Sequence, residues 1–251
     1  MAVPEALVFE GNYTIRTSEV NRLRQATPTA LIHLMQEAAL ENVLELKVSA
    51  WDLAKEHISW VLMRKHLDLY RLPELGETIT IRTHPAGFER VFTYRDYEVR
   101  DAAGEVIASS SSTWLLMNTQ RRSLARIPKA IVERGQFDTS DCLPHAKAKL
   151  PKLTQVDIEQ QFRVNWHDMD FNEHLNNVRY MQWLFETVPG YTSLEQQLQS
   201  LNIIYQSECR WKDVVQVSTQ ILEQGHCLHQ LVRQSDGEMI AQAETFWSPT
   251  H

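Results

Sequence analysis

The chain has 251 residues, 43% hydrophobic and 23% charged, an ordinary globular composition with room for one large domain or two small ones. A formal net charge of −7 argues against nucleic-acid binding, which would need a basic face for phosphates. Cys142, Cys209 and Cys227 are scattered and lack CxxC spacing, which argues against a disulfide framework or structural zinc site and for a reducing, cytoplasmic setting.

The N-terminal stretch MAVPEALVFEGNYTIR has no basic segment followed by an apolar run, so neither a signal nor a transit peptide is expected, and no segment reads as a membrane span. Tyr13-Thr14-Ile15-Arg16 reads as a strand. Thr27 is a candidate N-cap with Pro28 at the first helical position, and Leu31, Leu34, Met35, Ala38 and Ala39 follow at helical spacing. Trp60 to Met63, Thr78 to Ile81, Phe92 to Tyr94 and Val106 to Met117 then read as strands. Residues 127–160 lack a periodic core face and read as a linker with one short helix.

After the linker the order repeats. Phe162-Arg163-Val164-Asn165 precedes a helix as Tyr13 to Arg16 does, and the strands Ile203 to Tyr205, Val214 to Val217, Leu228 to Val232 and Met239 to Trp247 follow. Val99 to Ala108 aligns without gaps on Val232 to Ala241, and Trp114 then falls on Trp247, so the chain carries one hairpin twice and reads as a duplicated domain. One long helix for about five antiparallel strands gives an α+β class, with a sheet wrapped around a helix.

The densest chemistry lies in 162–189. Asp168, Asp170, Asn172, Glu173 and His174 crowd together just before a helix that Asn176 or Asn177 can cap and Pro189-Gly190 ends. Carboxylate and imidazole groups at a helix start suit proton transfer beside a polarised carbonyl, with helix-start amides near Asn176 to Val178 as candidate oxyanion contacts. Asp168 reads as a turn residue, Glu173 as solvated, and Tyr180 and Trp183 as core.

The segment Trp166 to Pro189, with Asp170, Asn172, His174, Asn176, Asn177, Tyr180 and Trp183, resembles the second domain of acyl-acyl-carrier-protein thioesterases. Leu34 to Ala39, Trp60-Val61, Trp114 to Asn118 and Arg121 to Pro128 extend the resemblance over nearly the whole chain. It implies two tandem hotdog domains, an N-terminal one over 1–130 that shapes the acyl pocket and a catalytic one over 161–251, joined by 131–160. It also implies hydrolysis of fatty acyl thioesters of acyl carrier protein without a cofactor or metal, by a bacterial-type enzyme. Asp170, Asn172, His174 and Glu208 carry over as the catalytic set. Asp170 is favoured as base or nucleophile and Glu208, on a following strand, as its partner.

Cys209 is read as a supporting residue, because a thiol beside Glu208 would meet negative charge; a papain-like reading with Cys209 as nucleophile is the alternative. In the first half Asn21, Leu23 and Gln25 stand where Asp170, Asn172 and His174 stand in the second, so one catalytic half is expected. An acyl-coenzyme A thioesterase and a non-catalytic acyl-binding module are the competing functions. Carrier docking is expected to use local basic groups such as Arg121, Arg122 and Arg126 or Arg210 and Lys212. A homodimer is left open.

Overall fold

The structure is a computed structural model that describes residues 3–134, 137–140, 142–171 and 173–250. Internal contacts divide it into two compact units, Met1–Ala146 and Lys147–His251. The first contains β1 (Phe9–Thr14), α1 (Pro28–Glu45), α2 (Ala50–Leu53), β2 (Ile58–Leu69), β3 (Thr78–Glu89), β4 (Phe92–Arg100), β5 (Val106–Asn118), the short β6 (Ser123–Leu124) and α3 (Lys129–Arg134). The second contains β7 (Ile158–Arg163), α4 (Asn177–Glu186), β8 (Gln196–Tyr205), β9 (Val214–Ile221), β10 (His226–Arg233) and β11 (Met239–Pro249).

Antiparallel pairing runs β1-β3-β4-β5-β2 in the first unit and β7-β9-β10-β11-β8 in the second. The two orders correspond strand for strand, so the duplication read from one hairpin extends to the whole unit. A finer match lies in the core, where Trp114 Nε1 donates to Ser112 Oγ at 2.8 Å and Trp247 Nε1 to Thr245 Oγ1 at 2.7 Å.

The helices start where the sequence places them. Thr27 Oγ1 accepts the Ala30 N–H at 3.1 Å with Pro28 in the first turn, and Asn176 Oδ1 accepts the Val178 N–H at 3.0 Å. Leu31, Ile32, Leu34, Met35 and Ala38 of α1 are buried, as are Val178, Tyr180, Met181, Trp183, Leu184 and Phe185 of α4. At roughly 1.5–3 kcal/mol for each large apolar side chain buried, such a face outweighs the poor propensity of α4, which is rich in aromatic residues, while α1 is built largely of Ala, Leu and Glu, good helix formers in their own right.

Several strands are longer than alternation predicts. β3 continues past Pro85 and Gly87 to Glu89, because its register against β4 shifts between Pro85 and Phe88 and the irregularity accommodates both residues. The joining segment contains α3 and is then fixed by side chains of each unit. Leu143 N–H and His145 Nε2 reach the Asp96 carboxylate at 2.7 and 2.9 Å, and His145 stacks on Tyr94. Further along, Thr154 N–H donates to Gln220 Oε1 and Ile221 N–H to Asp157 Oδ2. Hydrogen bonds of this kind leave no hydrophobic period for sequence reading to detect.

The first unit buries cationic side chains. Arg95 donates to Asn42 Oδ1 of α1 at 2.8 Å and to Thr83 Oγ1 at 3.1 Å. Lys65 is only 3% exposed, lies 4.3 Å from the centroid of the Tyr97 ring, and sits opposite Ser112. The second unit has Leu201 opposite Thr245 at the matching place. Burial pushes the Lys65 ammonium from about 10.5 down to about 7. Between those values the unfolded chain holds a proton that the folded one has released, so this group makes stability rise with pH across that window. Lys65→Leu is expected to raise stability at pH 7 by on the order of 1–4 kcal/mol, the range for replacing buried ionic groups with packed apolar ones. The gain should shrink towards pH 10, as the unfolded chain begins to lose the same proton and Lys65 approaches neutrality in both states only above its ordinary value of about 10.5; thermal unfolding of both proteins across pH 6.5–10 measures it, and a gain independent of pH would assign the effect to packing alone.

Candidate active site

β7 feeds a short 3-10 turn, Trp166–Asp168, in which Asp168 Oδ2 accepts the Asn165 N–H at 2.8 Å and Oδ1 pairs with Arg179 Nε at 3.2 Å. Asp168 is thus a turn and helix-entry residue. The next residues close a loop: Asp170 N–H donates to His174 O at 2.8 Å, His174 N–H to Asp170 Oδ1 at 3.2 Å, and Glu173 N–H to Asp170 O at 3.1 Å. Exposed Glu173 takes the left-handed conformation, φ 60°, needed for so tight a closure. Asn172 lies outside the described residues.

A second segment completes the site. β8 ends at Tyr205, so Glu208 and Cys209 stand in the connection to β9 and not on a strand. Leu175 N–H donates to Cys209 O at 2.9 Å and ties this connection to the loop. The tie brings His174 Nε2 to 3.3 Å from Glu208 Oε2, with the two side chains 34% and 35% exposed. His174 therefore meets one carboxylate through its backbone and the other through its ring. The Glu208 carbonyl accepts from the Arg233 guanidinium at 2.5 Å, a support supplied by the repeated hairpin.

Cys209 is buried beside this pair. Burial, with Asp213 adding to it, pushes its thiol up to about 12 against the opposing pull of Arg233 and Tyr180. The expected direction holds, but burial and Asp213 replace Glu208 as its cause. A thiol held so far above neutral pH supplies almost no thiolate. At the helix start the amides of Asn176 and Val178 are already engaged, by Asp168 O and Asn176 Oδ1.

The first unit builds the same scaffold without the chemistry. Asn21 N–H donates to Gln25 O at 2.9 Å, Gln25 N–H to Asn21 Oδ1 at 3.2 Å, and Ala26 N–H to Pro73 O at 2.8 Å. Asn21, Gln25 and Leu72 thus occupy the places of Asp170, His174 and Glu208. The loop needs an Asx side chain to close it; it does not need a charge.

Among the described residues no group of three or more His, Cys, Asp or Glu is placed to hold a metal ion, and no helix is long and apolar enough to cross a membrane.

Family models for the acyl-ACP thioesterase N-terminal and C-terminal domains match residues 6–134 and 151–249. A chloroplastic palmitoyl-acyl carrier protein thioesterase of Cuphea hookeriana is 30% identical over 98% of this chain, which spans 64% of that relative's length. A chloroplastic dodecanoyl-[acyl-carrier-protein] hydrolase of Cinnamomum camphora is 28% identical over 98% of this chain and 69% of its own. The solved 12:0-ACP thioesterase from Umbellularia californica superposes with a TM-score of 0.86 at 26% identity, covering all of both chains. An acyl-ACP thioesterase from Bacteroides thetaiotaomicron shares the fold at a TM-score of 0.87 and 17% identity, over 99% of this chain and all of that one. With two domain models matched in order over most of its length and the same tandem hotdog fold, the chain belongs to the acyl-ACP thioesterase family.

Proposed function

We propose that this protein hydrolyses fatty acyl thioesters of acyl carrier protein, releasing a free fatty acid and the carrier's thiol. The observation that carries the reading is the His174–Glu208 pair, set at 3.3 Å between two loops whose counterparts in the first unit hold Gln25 and Leu72. A non-catalytic acyl-binding module has no use for that difference.

Water attacks the thioester carbonyl while Asp170 takes its proton. Asp170 suits this role because the His174 amide fixes one of its oxygens, so the carboxylate is oriented before substrate arrives. The carbon–sulfur bond then breaks and the departing sulfur takes a proton from the His174 ring, which Glu208 orients. Asn172 positions the attacking water through its amide. The acyl chain lies in the first unit, against the buried face of α1. Three free thiols support a reducing, cytoplasmic setting.

Asp170→Asn writes in the residue that closes the sister loop, so the fold should survive while the base is lost. That variant, Asn172→Ala, His174→Gln and Glu208→Gln should each lower kcat on acyl carrier protein thioesters by on the order of a hundredfold or more, whereas Cys209→Ala should keep measurable turnover. An acyl group trapped on Cys209 by mass spectrometry, with a folded and inactive Cys209→Ala, would reverse the assignment.

Turnover is expected without added metal or nucleotide, and EDTA should leave it unchanged; restoration by zinc or magnesium of an EDTA-inhibited enzyme would contradict the two-carboxylate chemistry. Altering Leu34, Met35 or Ala38 should change the preferred chain length more than the total rate, by up to tens of fold for two carbons at about 1 kcal/mol each. A panel of carrier-linked acyl chains of graded length reads this directly, and equal losses on every length would mean that these side chains only support the fold.

A further inference from the structure

The rim of the catalytic loops carries an aromatic and basic patch that the proposed chemistry does not use. Trp166, 66% exposed, and Trp211, 49% exposed, meet edge to face at 5.6 Å between ring centroids. Lys212 Nζ lies 4.2 Å from the Trp211 ring centroid, and Arg163 and Arg210 are exposed on the same two segments. Two of the nearby acids are internally engaged: Asp168 pairs with Arg179, and Asp213 accepts the Arg210 N–H at 2.8 Å.

The scaffold itself does not require these side chains. In the first unit the turn after β2 repeats two backbone-amide bonds of the turn after β8. Glu74 N–H reaches Glu77 Oε2 at 2.9 Å as Arg210 N–H reaches Asp213, and Gly76 N–H reaches Ile15 O at 2.9 Å as Lys212 N–H reaches Val164 O at 3.1 Å. Where the second unit has Trp166, Arg210, Trp211 and Lys212, the first has Thr17, Glu74, Leu75 and Gly76. Lys212 moreover holds φ 75° where its counterpart is a glycine at φ 81°. A lysine kept in a conformation that glycine adopts without strain points to a use for its side chain.

We propose that this patch is the docking surface for the acyl carrier protein, an inference that rests on the carrier-linked substrate assigned above. Acyl carrier proteins are strongly acidic, and this chain has a net charge of −7, so long-range attraction opposes the encounter and local cations must reverse it. Arg163, Arg210 and Lys212 supply the complementary charge around two aromatic anchors of the kind that dominates protein interfaces. Cys209, one residue from Arg210, is tied to the loop holding Asp170 and His174, so a carrier seated here presents its thioester arm to those groups.

The test writes the sister residues into the turn, as the double variant Trp211→Leu/Lys212→Gly, which the first unit shows to be compatible with its geometry. KM for acyl carrier protein substrate should rise about tenfold, equivalent to ~1.4 kcal/mol, and lose much of its salt dependence. Turnover of the same acyl chain on N-acetylcysteamine should stay unchanged. Titration of ¹⁵N-labelled holo-carrier protein should show correspondingly weaker binding to the variant. Unchanged KM and binding would overturn the proposal, as would equal losses on the carrier-free thioester; a loss confined to the coenzyme A ester would give the patch to that cofactor's nucleotide phosphates. If the parent enzyme fails to hydrolyse acyl carrier protein thioesters, the functional reading falls by itself, and the holo-carrier titration still decides the docking surface.

Discussion

One backbone hydrogen bond in each unit links the loop ahead of the helix to the connection beyond the long strand: Leu175 to Cys209 in the second, Ala26 to Pro73 in the first. On one side of that bond the loop is held by a capped helix with a buried apolar face; on the other the connection is held by an antiparallel sheet. Two groups far apart in sequence are thereby fixed within hydrogen-bond range of each other. In the second unit they are His174 and Glu208, and the placement is rigid because neither segment can shift without breaking a cap, a ladder or both.

Duplication explains how such a site arises without strain on the fold. Asn21 and Asp170 close their loops with the same carbonyl oxygen geometry, so an Asn-to-Asp difference adds a titratable oxygen while leaving the backbone as it was. The cores diverge in the same manner. The first unit buries Arg95 beneath α1 and Lys65 against the Tyr97 ring, whereas the second holds His229 between the Thr219 and Thr245 hydroxyls at 2.8 Å, with burial lowering the imidazole to about 3 so that it stays neutral. His229 stands opposite Thr219 as Tyr97 stands opposite Thr83, so a shared architecture carries different polar groups at the same place in its two copies.

Cys209 shows why proximity does not assign a role. A cysteine, a histidine and a carboxylate side by side resemble the parts of a thiol enzyme, yet this sulfur is buried and its thiol is pushed well above its ordinary range. Glu208 reaches the half-exposed histidine, while Cys209 turns inward to Tyr180 and gives its carbonyl to the structural tie.

The sequence by itself determined what local rules encode. Helix starts at Thr27 and Asn176, the repeated hairpin with its paired tryptophans and the second-half location of the titratable loop all follow from spacing, caps and composition. Strand lengths past Pro85 and Gly87 escaped it, because a register shift depends on the partner strand. So did the His174–Glu208 contact, the end of β8 before Glu208 and the burial of Lys65. Each of these depends on groups brought together by chain segments tens of residues apart, and no local period records which of them will meet.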